Sequence, residues 1–427
     1  MSSMNQNKTG EAGTDHTAAV EASHPRSRIK RIFTSPRVRR IWWWIIFCIY
    51  VFLGLCTIAA AYSGLINPEI TAIPAILALT FPFWILLTVF LIIATVFVNW
   101  RLALVPGATL MICLGPVISN TPINFVKEKI TPQNRDRAFM LLSYNCLNLF
   151  DARDEAQYPH LPGDGRSPVN PTLSYIIGSG ADVVCLQEFP KPLKPNDRLR
   201  ITSEQIDSLY SIYPHHTANY AETILSKYPL YPIPVKNPAE EYQPFQAAVM
   251  DIMGRKTLVV SVHLGSFGLD ESDKALYREV TQGGGESKIS AARKVLIPKL
   301  GQAFVAHAYQ AEEIRHLVDS LNIRNVIIAG DFNDVPDCYA IRKLSGEDIH
   351  NAYSLAGHGP IITFHTNRFY FHIDHILYRG ALEAIDFRRG DSNSSDHYPV
   401  TATFLWHPIS RPDNHDLPEI DLENRKN

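Results

Sequence analysis

The sequence has few cysteines and no spacing that would put them to use. The six, Cys48, Cys56, Cys113, Cys146, Cys185 and Cys338, form no CxxC pair and no Cys/His set, so neither a disulfide framework nor a structural zinc is indicated. Three lie in an apolar stretch and two others inside apparent core strands, where cysteine acts as a small hydrophobe. An excess of basic charge is missing too. The chain carries 40 Lys and Arg against 42 Asp and Glu, and from residue 121 onward acidic residues outnumber basic ones 38 to 31. A protein that tracks a long polyphosphate backbone needs the opposite balance. There is no basic, aromatic-interleaved insertion of the kind that grips a duplex, and no internal repeat.

Long apolar runs are plentiful, and they crowd the N-terminal part. Residues 1–40 lack hydrophobic periodicity and close with Arg26, Arg28, Lys30, Arg31, Arg37, Arg39 and Arg40. They read as a disordered, cytoplasmic basic arm, a topogenic signal beside a membrane span rather than a nucleic-acid tail. Ile41–Ser63 has no charged residue and opens with Trp42, Trp43 and Trp44, which suit a membrane interface. It is too long for a signal-peptide core and lacks a cleavage site. Ile70–Val98 and Leu102–Ser119 are further uncharged runs. The expectation is a transmembrane region over 41–119 with three helices, at about 41–63, 73–98 and 102–119. The arm belongs inside, Gly64–Glu69 has no Lys or Arg and fits outside, and Arg101 fits inside. Three crossings then carry the rest to the extracytoplasmic face of the inner (plasma) membrane, although Lys127, Lys129, Arg135 and Arg137 pull the other way. A linker over 120–137, a catalytic domain over 138–406 and a disordered tail over 407–427 complete the organisation.

From about residue 137 strands alternate with helical stretches. Strands are expected at Phe139–Tyr144, Asp182–Leu186, Thr223–Ser226, Ala247–Ile252, Thr257–Val262, Val326–Ala329, Phe371–Tyr378 and Tyr398–Leu405, with helices at Pro171–Ile177, Ala303–Ser320 and near Cys338–Leu344. Residues 266–300 are polar and contain Gly283, Gly284 and Gly285, which predicts a long loop giving way to a helix.

The most informative stretch is Val326–Asp337, VIIAGDFNDVPD. Four apolar residues end at Gly330 and deliver Asp331, Asn333 and Asp334 at once. Alone, this also fits an Asx-rich turn after a strand. Other strand ends carry Asn145, Glu188, His263, Asp374 with His375, and Asp396 with His397. Buried carboxylates cost several kcal/mol unless paired or bound to a cation, so six such strand ends are hard to assign to chance. Phosphoester hydrolysis needs a cation to neutralise non-bridging oxygens, a base to align water and donors to the leaving oxygen, and acidic, amide and imidazole groups can supply them.

Seven segments, SYNCLNL (143–149), CLQEF (185–189), ILSKYPL (224–230), VSVHL (260–264), IAGDFND (328–334), HIDHIL (372–377) and SDHYPV (395–400), together resemble the endonuclease/exonuclease/phosphatase superfamily, over roughly residues 139–405. The chain is most similar to bacterial membrane-anchored members, in which a helix with a Gln (here Gln310) precedes GDFND and an AG-G-T segment (Ala356–Thr363) follows it. The resemblance implies a four-layer α/β sandwich, deoxyribonuclease I-like, with the site at one edge where loops of both sheets meet. It implies Glu188 as a Mg²⁺ or Mn²⁺ ligand, with Asn145 and Asp396 helping to hold the ion or the phosphate near it. Asp331 and Asn333 would orient water and stabilise the transition state. His397 would be the catalytic histidine, Asp374 its carboxylate partner, and His263 a second histidine donating to a phosphate oxygen. Glu222 is a candidate partner of His263, on a loose spacing. His375 is expected to face away from the site, His372 to be structural, and Asp334 and Asp337 to serve as a turn and a helix cap.

The resulting expectation is a membrane-anchored, divalent-metal-dependent phosphoesterase. Its substrate would be a phosphodiester or phosphomonoester: nucleic acid, phospholipid or a small phosphodiester. The lipid bilayer is the other partner, and no obligate protein partner is inferred. The alternative is an inactive receptor or scaffold on the same fold, in which the set Glu188, Asp331, Asn333, Asp374 and His397 would have been broken.

Overall fold

The computed structural model describes residues 36–124, 130–153, 168–217, 222–234, 245–366 and 369–408. The expected basic arm up to residue 35, residues 125–129 of the expected linker and the tail from 409 lie outside these. Two compact units are formed, Met1–Leu53 and Gly54–Asn427.

Helix α1, Pro36–Ala61, starts inside the expected arm, so Arg37, Arg39 and Arg40 form its first turns. Its 26 residues reach about 39 Å, enough for a hydrocarbon core of about 30 Å. The second expected span is broken instead into α2 (Ile73–Ala78) and α3 (Phe81–Val96). Pro82 disfavours helix at the residue before it and lacks an N–H, so the helix stops and restarts with proline in its first turn. The third becomes α4 (Trp100–Ile112) and α5 (Leu114–Asn120), bent by 57°. Pro116 cannot donate back to Ile112, which is where the ladder fails. Among the described residues, α1 is thus the one helix long and apolar enough to cross a membrane, or one of two if the bent pair is a single span. Three continuous spans are not present. One crossing or two put the remainder on opposite sides, so the span count does not fix the orientation expected from the charges.

The domain from Ala138 onward consists of two six-stranded mixed sheets. In the first the order is β11-β12-β1-β2-β4-β3, and in the second β5-β6-β7-β8-β10-β9. The strands are β1 (Ala138–Asn145), β2 (Val183–Gln187), β3 (His215–His216), β4 (Thr223–Ser226), β5 (Leu230–Ile233), β6 (Phe245–Ile252), β7 (Arg255–His263), β8 (Asn325–Asp331), β9 (His350–Asn351), β10 (Asp374–Arg379), β11 (Leu382–Arg389) and β12 (Val400–Trp406). The helices of this domain are α6 (Pro171–Gly178), α7 (Ser203–Ile212), α8 (Glu271–Thr281), α9 (Glu286–Leu321), α10 (Tyr339–Ser345) and α11 (Ala352–Ala356).

Alternation along the strands makes the layers. Ile327 and Ala329 of β8 point to a core shared with Leu141, Val183 and Cys185 of the other sheet, while Val326 and Ile328 pack on Ala311, Ile314 and Val318 of α9. On the far side, Leu142 and Val184 meet Leu173 and Ile176 of α6 and Leu209 of α7. The order helix, sheet, sheet, helix is the expected four-layer sandwich. Much of the stretch expected as a loop over 266–300 is helical. α8 is held at its start by a reciprocal cap between Asp270 and Asp273, and α9 begins at Glu286. Its first turns run out past the sheet, so their polar composition is that of an exposed helix rather than of a loop.

Register brings the polar strand ends together. β7 and β8 run parallel with His263 opposite Asp331, and β10 runs antiparallel to β8 with Asp374 opposite Asp331. In the other sheet Asn145 lies opposite Gln187, which precedes Glu188. Gly330 permits the close approach of β7, because a Cβ there would lie 1.9 Å from the carbonyl oxygen of Val262, a main-chain atom that cannot move aside. Gly330→Ala is expected to destabilise the chain by about 3 kcal/mol, the upper end of overpacking costs; thermal unfolding of the detergent-purified chain measures it.

Candidate active site

Asp374 and His397 form a buried polar pair at this edge. His397 Nδ1 lies 2.9 Å from Asp374 Oδ2, and its Nε2 lies 3.5 Å from Asp331 Oδ2. All three residues are buried. Burial opposes charge on the His397 ring, but Asp374 and Asp331, together with Asp396, outweigh it and push its pKa up to about 10. Ligand atoms of Asp331, Asp374 and His397 lie within 4.8 Å of one another, close enough to hold a metal ion. The Nδ1–Asp374 distance is nevertheless that of a hydrogen bond, so this nitrogen is engaged by the carboxylate.

Asn145 bridges from the other sheet, its Nδ2 donating to Asp331 Oδ2 at 3.0 Å and Glu188 Oε1 at 3.2 Å, while its Oδ1 accepts from Leu147 N. Asn148 Nδ2 donates to the other Glu188 oxygen at 3.3 Å. Glu188 has φ +51°, a left-handed conformation that a non-glycine residue adopts at a cost and that turns its carboxylate into the cluster. His263 Nε2 is 3.7 Å from Asp331 and 3.8 Å from Glu188. Its Nδ1 is 3.5 Å from Glu222 Oε1, so the loosely spaced Glu222 is its partner. Burial opposes protonation of His263, and Glu222, Asp331 and Glu188 together raise its pKa above the ordinary value. Asn333, at φ +48°, donates from its main chain to Asp331 Oδ1 and from Nδ2 to Leu264 O. Asp396 stands apart. Its carboxylate accepts from Ser395 Oγ at 3.3 Å, and among the described residues it makes no hydrogen bond to Glu188 or Asn145.

Residues 142–397 match the family model described as Endonuclease/Exonuclease/phosphatase family. The chain belongs to that family. Residues 42–120 match a second model, described as a domain of unknown function. A search of curated proteins gives no match. Among solved structures, the chain is similar to an endonuclease/exonuclease/phosphatase from Beutenbergia cavernae DSM 12333 (16% identity, 64% of this chain and 72% of that one, TM-score 0.38). It is also similar to one from Bacteroides vulgatus (14%, 63% and 99%, 0.38) and to a mannosyl-6-phosphatase from Bacteroides thetaiotaomicron VPI-5482 (15%, 63% and 100%, 0.36). At these scores the structural similarities add nothing to the assignment, which rests on the family model.

The site is supported by further residues around it. Thr363 Oγ1 accepts from the main-chain N–H of both Ile373 and Asp374, at 3.0 and 3.1 Å. His307 and Gln310 of α9 take both main-chain groups of Gly265, and the preceding carbonyl receives Asn333. His372 is structural, its Nε2 3.2 Å from Asp374 O and its ring against Tyr353. His375 faces away, its Nε2 donating to Asp334 O at 3.0 Å. Asp334 accepts from Val335 N as a turn residue does. Asp337 is not a helix cap: Cys338 occupies that position, and the Asp337 carboxylate instead receives Ser119 and Asn120.

Burial holds His375 neutral, with its pKa down at about 4. The unfolded chain therefore takes up a proton near pH 6.5 that the folded chain refuses until about 4, so this contribution to stability is present above pH 6.5 and is lost as pH falls. The loss amounts to about 3 kcal/mol. Urea unfolding at pH 7.5, 6 and 5 should show it, and His375→Phe should be less stable at pH 7.5 yet flatter towards acid.

Proposed function

We propose that this family member is a membrane-attached phosphoester hydrolase that works with Mg²⁺ or Mn²⁺. The observation that carries the reading is the buried Asp374–His397 pair beside Asp331, faced from the other sheet by Glu188 and Asn145. The donor set fits a hard divalent cation, being carboxylate oxygens and imidazole without a thiolate. Asp374 Oδ1 is buried and has no hydrogen-bond partner among the described residues, an anionic oxygen left open towards a cation or a donor. Glu188 and Asp331 are the residues that would hold the ion, with Asn145 bonded to both; Asp396 lies apart from them. A bound cation would supply charge neutralisation at the non-bridging oxygens.

The chain's own groups account for the proton work. Asp374 fixes the His397 tautomer and leaves Nε2 facing Asp331 and the reacting phosphate. Water adds to phosphorus and passes a proton to His397, the ester P–O bond breaks, and the leaving oxygen takes a proton from solvent. Asp331 and His397 align the water, and His263 donates to a phosphoryl oxygen. Neutralising Asp331 would bring His397 back from its raised pKa towards the range of a base. The acidic excess beyond residue 121 favours phospholipids or small phosphodiesters over long nucleic acids, and α1 supplies the membrane attachment.

In the full-length chain, assayed on bis-p-nitrophenyl phosphate, His397→Ala should lower turnover by roughly 10²–10⁴-fold. Asp374→Asn should cost a similar factor, and the double variant little more, since the two act as one unit. Multiplicative losses would show independent residues and break the pairing. A wild-type chain inert towards diesters, monoesters and phospholipids alike would favour the scaffold.

A further inference from the structure

The N-terminal apolar region does more than end at the catalytic domain. Residues from Gly54 onward share one compact unit with it, and several of their contacts fall on the loop that follows Asp331. Gly64 N donates to Asp337 O at 3.1 Å, and a Cβ at Gly64 would lie 2.4 Å from that oxygen and 2.8 Å from the carbonyl of Cys338. The approach is therefore possible only for glycine. From the end of α5, Ser119 Oγ and Asn120 Nδ2 donate to the two carboxylate oxygens of Asp337 at 3.2 and 2.7 Å. Between them, Ala78 at the end of α2 is buried against Val335 and Ile373, with Leu79, Phe364 and Phe371 around it. Val335 follows Asp331, Asn333 and Asp334; Ile373 directly precedes Asp374; and the Phe364 ring lies 4.9 Å from that of His397.

We infer that the region matching a domain of unknown function is a brace for the active site: Gly64 and Asn120, through Asp337, and Ala78, through Val335 and Ile373, are positioning residues that set the loop bearing Asp331 and Asn333 and the start of β10 bearing Asp374. The brace explains why Asp337 is half-buried and bonded to a segment more than 200 residues earlier. Attachment alone would need none of these contacts to lie next to catalytic loops.

The kinetic part of the test rests on the phosphoesterase reading, so a second readout does not use activity. In full-length chain in detergent, Gly64→Val should lower kcat by about ten- to a hundredfold, the scale of a misplacement near 1 Å, with KM changed less than about threefold. Amide hydrogen exchange should rise in peptides covering 331–338 and 371–377. Asp337→Leu should behave alike, whereas Asp337→Asn, which keeps both partners because Ser119 Oγ can also accept, should restore kcat to within about threefold. Should Gly64→Val fail to fold, Asn120→Ala removes one bond without adding bulk and should show the same changes at smaller size. Wild-type kcat and unchanged exchange in the folded variants would overturn the brace. If the wild-type chain hydrolyses nothing, the phosphoesterase reading fails, and the exchange data alone decide: faster exchange at 331–338 upholds the brace and unchanged exchange overturns it.

Discussion

Asp331 is almost fully buried, and its carboxylate serves groups from four different places in the chain. Asn145 arrives from β1, His263 from β7, Asn333 from the following turn and His397 from the segment before β12, while Asp374 lies opposite it on β10. An ionised carboxylate in that setting costs several kcal/mol unless it is compensated, and removing one partner of such a group is more costly than its absence from the start. The register of β7 on β8 and of β8 on β10, and the face-to-face packing of the two sheets, are the conditions under which the compensation is available. Gly330, one residue earlier, lets β7 come close enough.

The compensation within the chain is incomplete. Among the described residues, Glu188, Glu222, Asp331 and Asp374 are paired with His263 and His397 as groups able to carry positive charge, and the raised pKa values of both histidines are the response of the two rings to these carboxylates and Asp396. Such a site draws in cations and favours reactions in which negative charge is carried on oxygen near a metal. It also explains why the side-chain amides of Asn145 and Asn148 and the main-chain N–H of Asn333 are aimed at these carboxylates. They are donors that cannot lose a proton and do not add to the charge problem.

Much of this was readable from residue order, for a physical reason. A buried strand is a run of apolar residues, and a polar residue that ends such a run is placed at the sheet's edge by chain connectivity alone, so Asn145, Glu188, His263, Asp331 and Asp374 could be named without coordinates. Asn333 and His397 came with the motifs around them. Partners that reach the site across the fold left a weaker mark. Gln310 and the segment ending at Thr363 were named only through the resemblance and Glu222 only on a loose spacing, while His307, on one face of a long helix, looks like any other polar residue there. Asp337 reads locally as a cap because the sequence shows its neighbours in the turn but not Ser119 and Asn120. The apolar stretches were legible as apolar, yet hydropathy does not register where Pro82 and Pro116 interrupt the backbone ladder, and three expected spans became one long helix and two broken ones. In α9, exposure of both flanks removed the periodicity that would have marked its first four turns.

The central claim is that the polar edge shared by the two sheets is a metal-dependent hydrolytic site. Its most direct test is the rate of bis-p-nitrophenyl phosphate hydrolysis by the purified full-length chain, measured with Mg²⁺ or Mn²⁺, in excess EDTA, and after the metal is restored. The account predicts hydrolysis with metal, loss in EDTA and recovery on readdition, with Glu188→Gln folded but inert throughout. An undiminished rate in EDTA, or a Glu188→Gln protein as active as the wild type, would contradict it.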